Sequence, residues 1–180
     1  MRKILTALRL VPERLLHPWR RRATRAGLRR RVAPDSVLVI CHGNICRSPY
    51  GEFSLRRMLG ARGTRVTSAG FVGPDRPSPP EALEAALARG LDLRDHRSRL
   101  LTPEIVRDAG LVVVMEAAQA QAIRERFGRA PQDVVVLGDV DPRSIATRGI
   151  LDPYEQPAAV FTAVYERMDR CLAALTEAIA

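Results

Sequence analysis

Val37-Leu38-Val39-Ile40-Cys41-His42-Gly43-Asn44-Ile45-Cys46-Arg47-Ser48-Pro49 runs from four apolar residues into a loop that holds a thiol, a guanidinium and a hydroxyl. Val37 to Ile40 is too short and too β-branched for a helix, whereas Pro49 suits the first turn of one, so the loop joins a buried strand to a helix N-terminus. Amide N–H groups of such a turn converge on a concave nest, and the helix dipole adds positive potential, so an oxyanion fits there without a metal. Thiols at a helix N-terminus beside an arginine ionise at roughly pH 3.5–7.5, against about 8.5 for a free one. Cys41 is therefore the candidate nucleophile. Arg47 brings a planar fork that can hold two phosphoryl oxygens, where a lysine would act as a point charge. Ser48 can donate a hydrogen bond to the sulfur.

Outward from this loop the chain alternates helices and strands. The patterning predicts a helix over about Tyr50–Ala61, a strand over Arg65–Ser68, an alanine-rich helix over Glu81–Arg89 and a short helix over Pro103–Asp108. Strands at Leu111–Met115 and Val134–Leu137 flank a helix at Ala117–Phe127, and a long last helix starts near Ala158. Four strands separated by helices demand a parallel sheet covered on both faces, a doubly wound α/β fold. The loop at Cys41 then lies at the carboxyl end of the first strand, where such sheets bind ligands.

Composition divides the chain of 180 residues unevenly. Met1 to Arg31 holds eleven of the 29 basic residues and one of the 20 acidic ones, so the whole excess of +9 resides there. This sets apart an N-terminal arm over residues 1–33 from a domain over 34–180. Ile4, Leu8, Val11, Leu15 and Trp19 fall at helical spacing among arginines, a basic amphipathic pattern suited to an anionic membrane surface, and Pro12 and Pro18 are expected to interrupt it. The triplets Arg20-Arg21-Arg22 and Arg29-Arg30-Arg31 suit nucleic-acid phosphates equally well. A disordered extension without a partner, or an upstream start that is not used, accounts for the same residues. Three cysteines make no disulfide framework and point to a reducing cytoplasm, peripheral to a membrane if the arm binds one. Cys41, His42 and Cys46 are too crowded for zinc, so no metal is expected. Lys3 is the only lysine, which excludes a Gly-x4-Gly-Lys nucleotide loop, and no Gly-x-Gly-x2-Gly fingerprint follows the first strand.

The string from Cys41 to Pro49 resembles the phosphatase loop of the low-molecular-weight protein-tyrosine phosphatases. The resemblance continues through Thr67-Ser68-Ala69-Gly70, Asp95-His96-Arg97-Ser98-Arg99, Val112-Val113-Val114-Met115-Glu116, Asp152-Pro153-Tyr154 and Phe161-Thr162-Ala163-Val164-Tyr165, and covers the chain from about Asp35 onward. It implies hydrolysis of phosphotyrosine in proteins without a cofactor. His42, Gly43, Asn44, Ile45, Cys46 and Ser48 would wrap the phosphoryl group, while Ser68 and His96 would brace the loop together with Asn44. Phe71 and Tyr154 would wall the entrance with His42, although Phe71 at the end of a strand can equally just pack. His42 replaces a commoner apolar residue, Glu155 stands where eukaryotic members have a second tyrosine, and Glu116 stands in for an aspartate. Cys46 either closes a reversible disulfide with an oxidised Cys41, as family members can, or packs beneath the loop. Cys171 reads as core.

Asp152 completes the expected chemistry. A tyrosine phenolate has a pKa of about 10, and a positioned carboxylic acid that protonates it is worth 10²–10⁴ in rate. The competing reading is an arsenate reductase on the same fold, because arsenate resembles phosphate. Reductases relay electrons through further cysteines, and only Cys46 and the distant Cys171 are at hand. The resemblance allows a bacterial tyrosine kinase as counterpart and leaves the oligomeric state open.

Overall fold

The computed structural model describes the backbone of residues 2–180 and the side chains of residues 13–180. Its elements in chain order are α1 (Arg2–Arg29), β1 (Ser36–Cys41), α2 (Arg47–Leu59), β2 (Arg65–Gly70), α3 (Pro80–Leu87), α4 (Pro103–Arg107), β3 (Leu111–Val114), α5 (Ala117–Phe127), β4 (Val134–Val136) and α6 (Ala158–Ala178). The four strands form one parallel sheet in the order β2-β1-β3-β4. That is the doubly wound α/β arrangement expected from the alternation of elements.

Strand alternation divides the interior into two cores. In β1, Val37, Val39 and Cys41 face a core shared with α2, α3 and α6, where Leu55, Leu59, Tyr165, Met168 and Leu172 are buried. Leu38 and Ile40 face the opposite core, closed by Val106 of α4 and Ile123 of α5. Because both faces are covered, the strands are continuous apolar runs and not alternating ones. β1 is central and its chain leaves toward β2, whereas β3 leads away to β4, so the sequence order reverses between β1 and β3. The carboxyl ends of these two strands therefore diverge into a crevice, and the loop at Cys41 opens into it.

The arm is helical throughout its described backbone and α1 runs unbroken past Pro12 and Pro18, contrary to the expected interruption. Contacts from the second half of the helix outweigh the backbone bond that Pro18 cannot make. His17 is buried with Nε2 2.9 Å from the carbonyl oxygen of Asp141, Arg21 donates to the carbonyl of Pro142 at 2.6 Å, and Arg25 pairs with Glu177 at 2.9 Å. Leu28 enters the main core. Ile4, Leu8 and Val11 lie outside the residues whose side chains are described. Among the described residues, no helix is long and apolar enough to cross a membrane.

Candidate active site

Cys41 ends β1, and α2 begins at Arg47, so the intervening loop is anchored on both sides. Cys41 Sγ lies 3.0 Å from Ser48 Oγ. Asn44 fixes the direction of that bond. Its Nδ2 donates to Ser48 Oγ and to Ser68 Oγ, each at 2.8 Å, so the Ser48 hydroxyl hydrogen is left to point at the sulfur. Ser68 in turn donates to Glu52. Asn44 also accepts from the backbone N–H of Arg99 at 2.7 Å through Oδ1, and its carbonyl accepts from His96 Nε2 at 2.7 Å. Such a bond makes His96 Nε2 the protonated nitrogen. Burial, working against that hydrogen bond, keeps the His96 imidazole below its usual pKa, so it is neutral near pH 7. Asn44 holds φ at 52°, a left-handed conformation that asparagine tolerates, and this network over-determines it. Gly70 is required where the loop crosses the end of β2, because a Cβ there would stand 2.8 Å from the Asn44 nitrogen.

Arg47 is 1% exposed. One terminal nitrogen donates to Glu116 at 2.8 Å and to the carbonyl of Ile150 at 2.9 Å, and the other donates to the Asp152 carboxylate. Its Nε is buried and has no protein partner. An orphaned, fully buried guanidinium N–H calls for an explanation, and an incoming oxyanion would supply the missing acceptor. Cys41, Gly43, Ile45, Cys46 and Asp152 all line one cavity of about 280 Å³. A thiol with a hydroxyl donor and a carboxyl group thus share one cavity, and the carboxyl is held by the buried Arg47 behind it.

The family model of the low molecular weight phosphotyrosine protein phosphatases matches residues 36–180. The chain belongs to this family. It is 36% identical over 136 residues to a probable low molecular weight protein-tyrosine-phosphatase, EpsP, of Ralstonia nicotianae, covering 75% of this chain and 89% of that one. The crystal structure of the tyrosine phosphatase Wzb from Escherichia coli K30 in complex with sulphate superposes with a TM-score of 0.74 at 32% identity, over 82% of this chain and 99% of that one. The structure of the YwlE arginine phosphatase from Geobacillus stearothermophilus aligns with a TM-score of 0.70 at 28% identity, over 79% of this chain and 90% of that one. The phosphatase match begins at Ser36, so α1 lies outside it.

The remaining residues singled out in the sequence are placed unevenly in this phosphatase. His42 and Tyr154 line the cavity, and Tyr154 is half-exposed at its rim. Phe71 does not line it. It packs against the core between the sheet and α5, on the same side as Ala69, and the cavity wall is formed by its neighbour Val72. Strand alternation carries past the end of β2, so a shift of one residue changes which side chain faces the site. Cys46 lines the cavity as a free thiol, and burial, followed by the negative charge of Cys41 and Asp152, pushes its pKa far up. Tyr165 of α6 donates to the Cys46 carbonyl at 3.1 Å and stacks on Tyr50 with ring centroids 3.8 Å apart, which props the loop from beneath. Two residues were not foreseen as parts of the site. Glu116 follows β3 and meets Arg47 across the crevice between β1 and β3, and Arg76 lines the cavity wall. A sharper signal for Glu116 was present, since residues at neighbouring strand ends of a doubly wound sheet converge.

Proposed function

We propose that Cys41 is the nucleophile, Arg47 the phosphoryl-binding group and Asp152 the general acid and base of phosphotyrosine hydrolysis in this phosphatase. The thiolate of Cys41 attacks phosphorus, the sulfur–phosphorus bond forms and the bond to the phenolic oxygen breaks. Asp152, as a carboxylic acid, gives its proton to the departing phenolate. Water then attacks the cysteinyl phosphate, Asp152 takes a proton from it, and inorganic phosphate leaves as the sulfur–phosphorus bond breaks. Arg47 and the amides of the loop from His42 to Ser48 stabilise the equatorial oxygens in both steps. The observation that carries this reading is that Cys41 and Asp152 line one cavity while Asp152 is paired with the buried Arg47, whose Nε has no protein partner.

Three chemistries share such a cradle, and specific residues favour phosphotyrosine. Arsenate reduction needs a further relay thiol. Cys46 lines the cavity but burial pushes its pKa far up, and Cys171 is fully buried in the core of α6 with its pKa pushed up to about 12 by burial, which makes both poor relays. Phosphoarginine carries its phosphoryl group on a guanidinium, and Arg76 in the cavity wall opposes that cation. Val72 and Tyr154, which line the cavity and are half-exposed, offer apolar walls to a phenyl ring. The test is metal-free hydrolysis of matched phosphotyrosine, phosphoserine and phosphoarginine peptides, with thioredoxin-coupled arsenate turnover in parallel. Phosphotyrosine is expected to be turned over fastest. Faster phosphoarginine hydrolysis or arsenate reduction would replace this reading. A nucleophilic thiol works in a reducing compartment, so the phosphatase is assigned to the cytoplasm.

A specific feature of α1 favours a second reading, contact with an anionic membrane. Leu15 and Trp19 are 68% and 72% exposed, one turn apart, on a helix whose other side is held by His17 and Leu28. Exposed Arg14 and Arg22 flank them. Amphipathic tryptophan between arginines suits a headgroup layer better than a nucleic-acid backbone. Co-sedimentation of the full chain with phosphatidylserine vesicles, and its loss in the Leu15→Ser, Trp19→Ser variant, is the expected result. Equal binding by that variant, or preference for an oligonucleotide, would contradict it.

A further inference from the structure

The cavity that Cys41 lines has an arginine, Arg76, in its wall that the hydrolysis does not use. Arg76 follows β2 in a loop stitched to the segment at Ser98. Asp75 N–H donates to the Ser98 carbonyl at 2.7 Å, Arg76 N–H donates to Ser98 Oγ at 2.9 Å, Ser98 N–H donates to the Arg76 carbonyl at 2.8 Å, and Ser98 Oγ donates to the Gly73 carbonyl at 2.5 Å. The guanidinium is then aimed by two carbonyls. Nε donates to Gly73 at 3.3 Å and a terminal nitrogen donates to Gly43 of the phosphatase loop at 3.1 Å. Glycine at both positions makes the slot. A Cβ on Gly43 would stand 2.7 Å from that terminal nitrogen, and one on Gly73 would overlap the guanidinium.

We propose that Arg76 forms an anion subsite beside the Cys41 cavity that receives a substrate carboxylate, that of a glutamate or aspartate one or two residues from the phosphotyrosine. This inference rests on the phosphatase reading and names its substrate class more closely. Carbonyls orient a guanidinium and leave its charge uncompensated. Among the described residues, no carboxylate lies within ion-pair distance of Arg76, whereas Arg47 in the same site is flanked by Glu116 and Asp152. The other terminal nitrogen of Arg76 has no protein partner, so in the cavity wall an oriented guanidinium keeps unpaired N–H groups for an anion. Preorganisation of this kind lowers the entropy lost when a ligand binds. The phosphoryl group has its own donors in Arg47 and the loop amides, which leaves Arg76 to the peptide chain that runs out past Val72 and Tyr154 at the rim.

The test uses phosphotyrosine peptides in which glutamate, and separately lysine, is walked through the two positions on either side of the phosphotyrosine, with kcat/KM measured for the full chain and for Arg76→Gln and Arg76→Lys. The wild type is expected to prefer glutamate over lysine at one position by about fivefold or more, the size of one charge-assisted hydrogen bond at a half-exposed site. Arg76→Gln should bring that ratio close to one, and Arg76→Lys should keep part of it. A ratio unchanged in Arg76→Gln would overturn the subsite, as would a wild type indifferent to the flanking charge. A purely bracing role for Arg76 lowers turnover of both peptides together and leaves the ratio intact, which also overturns it. Should the wild type hydrolyse none of the peptides, the phosphatase reading itself would fail, and that result differs from hydrolysis without preference.

Discussion

Arg47 and Asp152, 105 positions apart in sequence, form an ion pair beside the cavity that Cys41 lines, so the proposed phosphoryl-binding group and the proposed general acid are positioned by each other. Ile150 and Glu116 complete the hold on Arg47. On the proposed mechanism a phosphoryl group entering this space would draw on the same guanidinium, and its leaving-group oxygen would come within reach of the Asp152 carboxyl.

Asp152→Asn should therefore act according to the leaving group. Turnover of phenyl phosphate is expected to fall by about 10²–10⁴, while esters of acidic phenols, which leave without a proton, should lose far less. A leaving-group series measures this directly. Equal losses across the series would remove Asp152 from the acid role.

Glu116 positions Arg47 through one terminal nitrogen. Glu116→Gln keeps an acceptor for that N–H and should retain most of the activity, whereas Glu116→Ala should lose about tenfold or more in kcat/KM through misplacement of the guanidinium. Similar losses in both variants would mean that the charge of Glu116 matters more than its geometry.

The buried His96 makes stability depend on pH. Its folded pKa is lowered by burial below the unfolded value of about 6.5, so between those two values the unfolded chain binds more protons. Stability is then fully present above about pH 6.5 and is lost as pH falls through that window. Denaturant midpoints from pH 7 to pH 5 should drop more steeply for the wild type than for His96→Gln. Identical slopes would place the proton uptake elsewhere. Asp141 acts at lower pH. Burial opposes its charge, but bonds from Arg170, the Arg143 N–H and Arg167 prevail and hold its pKa down, so its contribution is lost only as pH falls below the usual carboxylate range.

Leu28 tests whether α1 is part of the folded unit. It is 3% exposed against the main core, so Leu28→Ala is expected to cost about 2–5 kcal/mol in denaturant unfolding. An arm only loosely attached would show almost no change.

The catalytic loop was legible because its chemistry is local. A β-branched run, a thiol, an arginine six positions on and a proline in the first helical turn specify strand, nest and helix within one short string. Asp152 was legible through its motif, and the four strands through their apolar runs. Glu116 and Arg76 were not, because each joins the site by a tertiary route. Glu116 arrives from the end of the neighbouring strand, and Arg76 from a loop whose course depends on glycines and on Ser98. Phe71 shows the limit at the smallest scale, since one residue at a strand end decides between cavity wall and core. Pro18 shows the reverse. A local helix breaker is overridden by burial of His17 and Leu28 on either side of it.

Passage of the phosphoryl group through Cys41 is the central claim. Acid-quenched mixing of the full chain with a phosphotyrosine peptide, followed by digestion and mass spectrometry, locates the transferred phosphate. Phosphate is expected on the peptide that carries Cys41, more of it in Asp152→Ala when the substrate is an ester of an acidic phenol, whose departure needs no proton while hydrolysis of the intermediate is slowed, and none in Cys41→Ser, which still binds inorganic phosphate. Turnover of the peptide by Cys41→Ser, or a phosphorylated intermediate at any other residue of the wild type, would contradict it.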